Sequence, residues 1–283
     1  MTSIRIAATM ALLTLFLAQH AAGGAWTRAQ HSLYTKLAFT ILSTSEAYDK
    51  DGNKFSTPKF NTWSLNLYGE YGVTDRITTI LRAPVLRSAK YEGTESATDI
   101  GDISVEVKYG LIRGSTPVAV SVEAEFPTGN ENATGAWEDG IEIAPIPLPT
   151  GDGEYNTRVK ASVSHSFYPI PGYVSVDIGY NFRTMGFTDE FLFMIQAGYQ
   201  IDDVLWLQGN INAKGPVKTP DPVLADKATL GFGEGVQFIA YSAGLAYEML
   251  PTITLSFDAY SAFGKITSIY SGLNLVFGVS YAP

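Results

Sequence analysis

The chain has 283 residues, with 19 Lys and Arg against 28 Asp and Glu, a formal net charge of −9 and no cysteine. Charged residues make up 17% of it, below the ~25% of an ordinary soluble domain. Absence of cysteine excludes a disulfide scaffold, a zinc ribbon, a thiol nucleophile and a lipid-modified cysteine. The acidic balance with dispersed Lys and Arg speaks against a nucleic-acid partner.

Residues 1–24 read as a secretory signal peptide, leaving 25–283 as the folded unit. Arg5 supplies the positive start, Ile6 to Ala18 the apolar run, and Ala21, Ala22, Gly23, Gly24 and Ala25 the small residues that suit a signal peptidase. No apolar run after Ala25 approaches the ~18 residues of a spanning helix. What recurs instead is a period of two.

Twelve alternating segments follow in chain order. Leu33 to Ile41 opens the series, then Trp63 to Val73, with Thr74-Asp75 turning into Ile77 to Val85. Ile103 to Leu111 turns through Arg113-Gly114-Ser115-Thr116 into Val118 to Phe126. After a long polar loop from Pro127 to Tyr155 come Val159 to Phe167, the turn Pro169 to Gly172, and Val174 to Phe182. Phe191 to Ile201 turns at Asp202-Asp203 into Leu205 to Ile211. Beyond a second long loop, Lys214 to Gly235, lie Tyr241 to Met249, Ile253 to Ala259 and Leu273 to Tyr281. Each segment has one nearly uncharged apolar face and one face of small and polar residues.

This pattern predicts an all-β fold: a transmembrane, antiparallel up-and-down β-barrel of about twelve strands in a Gram-negative outer membrane. Short turns alternate with longer loops near 43–60, 87–100, 127–155, 185–189, 214–235 and 264–268, although two of these six are short. Such a barrel needs an even strand count and closes every backbone hydrogen bond in lipid. Aromatic residues near strand ends, among them Trp63, Tyr71, Tyr109, Phe126, Phe167, Phe182, Tyr199, Tyr247 and Tyr281, suit two girdles at the headgroup level. A soluble sandwich or barrel is the competing reading. The expected partners are outer-membrane lipid and lipopolysaccharide, the barrel-insertion machinery and a small-molecule solute. The end of the chain, Tyr281-Ala282-Pro283, departs from the terminal aromatic common in such proteins.

Three stretches resemble the outer-membrane family named for the phenol-degradation meta pathway. They are Asp99-Ile-Gly-Asp-Ile-Ser-Val-Glu-Val-Lys-Tyr-Gly-Leu-Ile112 with Glu125-Phe-Pro-Thr-Gly129, then Tyr71-Gly-Val-Thr-Asp-Arg76, and Gly24-Ala-Trp-Thr27, which is similar to related envelope proteins. The sharp motifs cover about a third of the chain. The resemblance implies an outer-membrane barrel that passes small, often hydrophobic, compounds, and it brings no catalytic residue with it.

By parity the polar faces place Lys36, Glu70, Arg82, Glu106, Lys108, Glu123, Glu125, Arg158, Lys160, Asp177, Arg183 and Asp258 in the lumen, with Arg76, Glu190 and Glu248. Such charges either brace a narrow barrel by pairing or line a pathway whose charge sets selectivity. The expected function is a channel or transporter for a small solute, with hydrophobic or aromatic compounds among the candidates. The alternative is a plugged structural or envelope-interaction barrel, with the 127–155 loop folded inward or engaged with a partner. Catalysis is not expected. His165 shares the lipid face with Val163 and Phe167, while Ser164 and Ser166 point the other way, so no nucleophile lies within reach of that base. No metal or cofactor is expected either. Asp49-Lys-Asp-Gly-Asn53 lacks the glycine and glutamate that a calcium loop requires at its sixth and twelfth positions. Gly231-Phe-Gly-Glu-Gly235 lacks the strand–helix setting of a nucleotide loop.

Overall fold

The computed structural model describes residues 24–138, 144–227 and 230–283. The predicted signal segment lies outside the described residues, except for Gly24. Twelve long strands form one antiparallel sheet: β1 (Leu33–Tyr48), β2 (Lys54–Thr74), β3 (Ile77–Tyr91), β4 (Ile103–Ile112), β5 (Val118–Phe126), β6 (Asn156–Ser166), β7 (Gly172–Arg183), β8 (Glu190–Ile201), β9 (Leu205–Pro216), β10 (Gln237–Leu250), β11 (Ile253–Thr267) and β12 (Asn274–Tyr281). Each strand pairs with the next. The sheet closes because β1 pairs with β12 as well as with β2, with Phe39 opposite both Phe277 and Leu65. Closure leaves no sheet edge, the condition for β-structure in lipid.

Alternation decides which face goes out. Val105, Val107, Val120, Val122, Val159, Val163, Leu207, Ile211, Leu245, Phe277 and Val279 are exposed, while Ser104, Glu106, Lys108, Ser121, Glu123, Ser162, Ser164, Ser175 and Asn181 are buried. This inverts a soluble protein, in which large apolar side chains lead the buried set. It matches a barrel whose outer belt meets hydrocarbon and whose interior is polar. Exposed aromatics ring both ends. Tyr71, Tyr109, Phe167, Tyr199, Tyr247 and Tyr281 lie beside the short turns, and Phe126, Phe182, Phe191, Tyr241 and Phe263 lie toward the long loops.

The strands outrun the sequence pattern at the long-loop end. Residues expected to form a loop over 43–60 continue the β1–β2 hairpin as far as Tyr48 opposite Lys54. Similarly, β3 runs to Tyr91 and then pairs with a short strand, Ala97–Asp99. Beyond the apolar belt neither face needs lipid-soluble side chains, so alternation fades while the backbone ladder goes on. The long loops fold over this end. Thr134–Gly135 pairs with Ile146–Pro147, and Leu148 is buried against Phe60, Ala89 and Ala97. A short helix, Pro222–Lys227, lies in the loop between β9 and β10.

The motif stretches from Asp99 and from Glu125 meet at this end. The Asp102 carboxylate accepts the Gly129 N–H at 2.9 Å and the Asp152 N–H at 3.0 Å. Thr128 Oγ1 accepts the Ile103 N–H at 3.1 Å and donates to the Gly101 carbonyl at 2.7 Å. The motif thus knots the 101–103 stretch to both ends of the 127–155 loop. Burial pushes the Asp102 carboxyl above the usual carboxylate range, against the pull of its two backbone donors.

Candidate functional site

Three structures occupy the barrel interior, and the first is the chain's own N-terminal segment. Residues 24–31 enter at the short-turn end instead of trailing away from it. The Ala25 N–H donates to Ser164 Oγ at 2.9 Å, and that hydroxyl donates to Ser175 Oγ at 2.8 Å. Arg28 N–H donates to Thr78 Oγ1 at 2.8 Å, and Arg28 Nε lies 2.5 Å from Glu70 Oε2. The same guanidinium sits 4.7 Å over the Tyr34 ring, and Tyr68 OH donates to the other Glu70 oxygen. Trp26 packs edge-on to Tyr173 with ring centroids 5.6 Å apart, in a cluster with buried Trp206. Two glycines make room for this arrangement. A Cβ at Gly72 would collide with the Ala29 carbonyl, and one at Gly198 would collide with the Tyr173 ring.

The second structure is a charge network across β3 to β6. Arg82 bridges Glu106 at 2.7 Å and Glu123 at 3.1 Å. Lys160 bridges the same two carboxylates at 2.8 Å each. Arg158 joins Glu123 and Glu125 at 2.7 Å each. The register explains the meeting: Glu106 lies opposite Glu123, and Glu123 lies opposite Arg158, so like-facing residues on adjacent strands converge. Two glutamates opposed across a ladder repel each other, and the three cations offset that repulsion. Lys108 and Asp177 face the same cavity of about 410 Å³, together with Leu192 and Met194.

Further pairs brace the rest of the wall. Lys36 lies 3.8 Å from Asp258. Arg183 pairs with Glu154 and, at 3.1 Å, with Glu190, which also takes Lys214 at 2.9 Å. Six of the twelve residues singled out by parity therefore form one network: Arg82, Glu106, Glu123, Glu125, Arg158 and Lys160. The structure gives Glu70 to the N-terminal segment, Arg183 to the long-loop end, and Lys36 and Asp258 to each other. Arg76 is exposed at the short-turn rim, where it donates to the Gly110 and Leu111 carbonyls at 3.2 Å. Its strand has not yet begun, so parity does not apply to it. Among residues weighed for chemistry, His165 Nδ1 meets Thr116 Oγ1 at 2.7 Å and its ring lies edge-on to Phe167.

The third structure is the mouth under the long loops, where apolar and polar open volumes adjoin. Sequence reasoning missed Arg87, Tyr260 and Tyr270 there, along with Arg28, Tyr173 and Trp206. Trp206 carried a signal: it is an aromatic out of phase with Leu205 and Leu207 on an otherwise polar inner face. Arg28 carried none, because residues 24–31 show no alternation.

No family model and no curated protein sequence matches the chain. Its fold is similar to that of solved structures. An outer membrane channel from Pseudomonas putida F1 superposes with a TM-score of 0.68 at 14% identity, over 92% of this chain and 98% of that one. The NanC porin gives 0.55 at 10% identity, over 88% and 98%. The translocator domain of the autotransporter NalP from Neisseria meningitidis gives 0.51 at 10% identity, over 99% and 97%. At such identities the likeness concerns the fold.

Proposed function

We propose that the chain is an outer-membrane channel of a Gram-negative envelope, exported with residues 1–24 removed, that passes small solutes. One observation carries the reading: the barrel's interior is charged and polar yet only partly filled, with about 410 Å³ open beside the charge network and about 350 Å³ open near the long loops. A barrel built only to be rigid would gain by packing that space. The fold shared with an outer membrane channel and a porin supports the reading, as does the apolar outer belt. The short turns then face the periplasm and the long loops the exterior. Membership of the phenol-degradation meta-pathway family rests on the motifs quoted above, and their structural part is the Asp102 knot. The His165–Thr116 bond braces the periplasmic rim.

The N-terminal segment narrows the periplasmic end, and the charge network sets the field in the middle. In this reading the lumen charges line the pathway and brace it together. Neutralising Glu123→Gln with Glu125→Gln strips two anions from three cations and leaves the interior more positive. The reversal potential of the double variant in a salt gradient is expected to move toward anion selectivity. An unchanged reversal potential would remove these residues from the conducting path. The occupied periplasmic end also favours a second reading, a plugged barrel of structural role, which predicts a folded barrel without current.

A further inference from the structure

The chamber under the long loops has a composition unlike the rest of the interior. Its apolar part, about 210 Å³, is lined by Phe60, Leu148, Phe232 and Tyr270. Phe60 and Tyr270 stack face to face at 3.8 Å, and Tyr270 OH is 2.6 Å from Tyr91 OH. Its polar part, about 350 Å³, is lined by Thr40, Ser64 and Asn66. Arg87, Tyr260 and Asn274 border both parts.

Arg87 stands at that boundary without a salt bridge. Its guanidinium lies 4.4 Å over the Phe232 ring. Every cation of the central network is paired, but among the described residues Arg87 enters no ion pair and no side-chain hydrogen bond. The nearby carboxylates are tied to backbone amides, and Asp102 attracts the guanidinium from beyond ion-pair distance. Asp99, opposite Arg87 in the ladder, accepts the Ile100 N–H, and Asp102 holds the Gly129 and Asp152 amides. The Tyr260 hydroxyl and the Asn274 amide likewise make no side-chain hydrogen bond among the described residues. Three donor groups thus border one opening, beside a wall of aromatic rings.

We propose that this chamber is a binding site for a small monocarboxylate with a compact aromatic body. The carboxylate takes the Arg87 fork in bidentate fashion, with Tyr260 and Asn274 as further donors. The ring lies in the apolar part against the Phe60–Tyr270 stack and Phe232. A phosphate would match Arg87 but leave the apolar part empty, and a neutral arene would leave the guanidinium without an anion. The inference deepens the channel reading by naming a solute class, and it rests on that reading for the route by which the solute leaves.

The test is calorimetric titration of the refolded mature chain with benzoate, benzamide and acetate, alongside conductance of the same preparation. Benzoate is expected to bind saturably, with benzamide and acetate each at least tenfold weaker. Arg87→Gln is expected to cut benzoate affinity at least tenfold while the heat-dependent gel shift of a folded barrel persists. Benzamide binding as tightly as benzoate would overturn the anion anchor, and acetate matching benzoate would overturn the aromatic chamber. Both comparisons use the unaltered chain, so they hold even if Arg87→Gln does not fold. A conducting barrel that binds no benzoate overturns the site alone. Benzoate binding without current sustains the site and overturns the channel.

Discussion

Gly72 marks where the N-terminal segment lies against the inner wall, and the Ala29 carbonyl occupies the place a side chain would take. The clash is with backbone, which cannot rotate aside, so Gly72→Ala must displace the segment. Overpacking of this kind costs about 1–3 kcal/mol. We expect a barrel that still shows its heat-dependent gel shift but whose N-terminal residues become sensitive to protease. A segment as protected as in the unaltered chain would show that the two do not touch. A buried ion pair broken from one side costs more, about 3–5 kcal/mol, because the partner charge is stranded. Glu123 meets Arg82, Arg158 and Lys160, and its loss leaves those three cations to Glu106 and Glu125 alone, so Glu123→Ala should lower the urea midpoint of the barrel more than Asp258→Ala. The latter removes only the 3.8 Å contact with Lys36.

At the level of elements, the loops are tied by carboxylates more than by apolar packing. Glu234, fully buried, accepts from the Thr188 N–H at 2.8 Å, the Thr188 hydroxyl at 2.6 Å and the Asp221 N–H at 2.9 Å. Replacing it with alanine leaves three donors without that acceptor, at about 1–3 kcal/mol for each that stays buried. Limited proteolysis should then cut within 217–236 sooner, with the barrel itself intact, and an unchanged cleavage rate would contradict the latch. The strands were legible in the sequence because lipid outside and water inside impose a strict period of two, as in Val118 to Phe126. Legibility stopped where that contrast stopped. Lys54 to Asn61 pairs with β1 beyond the belt, and Arg87 lies in a stretch read as loop although β3 runs through it. Within the interior, parity found which residues face inward, such as Glu123 and Arg158. It could not show which of them meet, because that depends on register between strands. Glu234 and Glu154 lie in loops, where no period announces a buried carboxylate.

The whole molecule joins two opposed requirements. Its outer belt must satisfy hydrocarbon, and its interior must house charged and polar side chains. The N-terminal segment then decides how wide the short-turn end is, since Ala25, Trp26 and Arg28 are anchored to three parts of the inner wall: Ser164 on β6, Tyr173 on β7, and Thr78 and Glu70 on β3 and β2. Removing residues 25–31 takes away these anchors while leaving every barrel strand, because β1 begins at Leu33. The most direct measurement is single-channel conductance in a planar bilayer, comparing the mature chain with this deletion after both show the gel shift of a folded barrel. The channel account predicts discrete steps from both, larger in the deletion. Folded barrels with no current from either chain would contradict it.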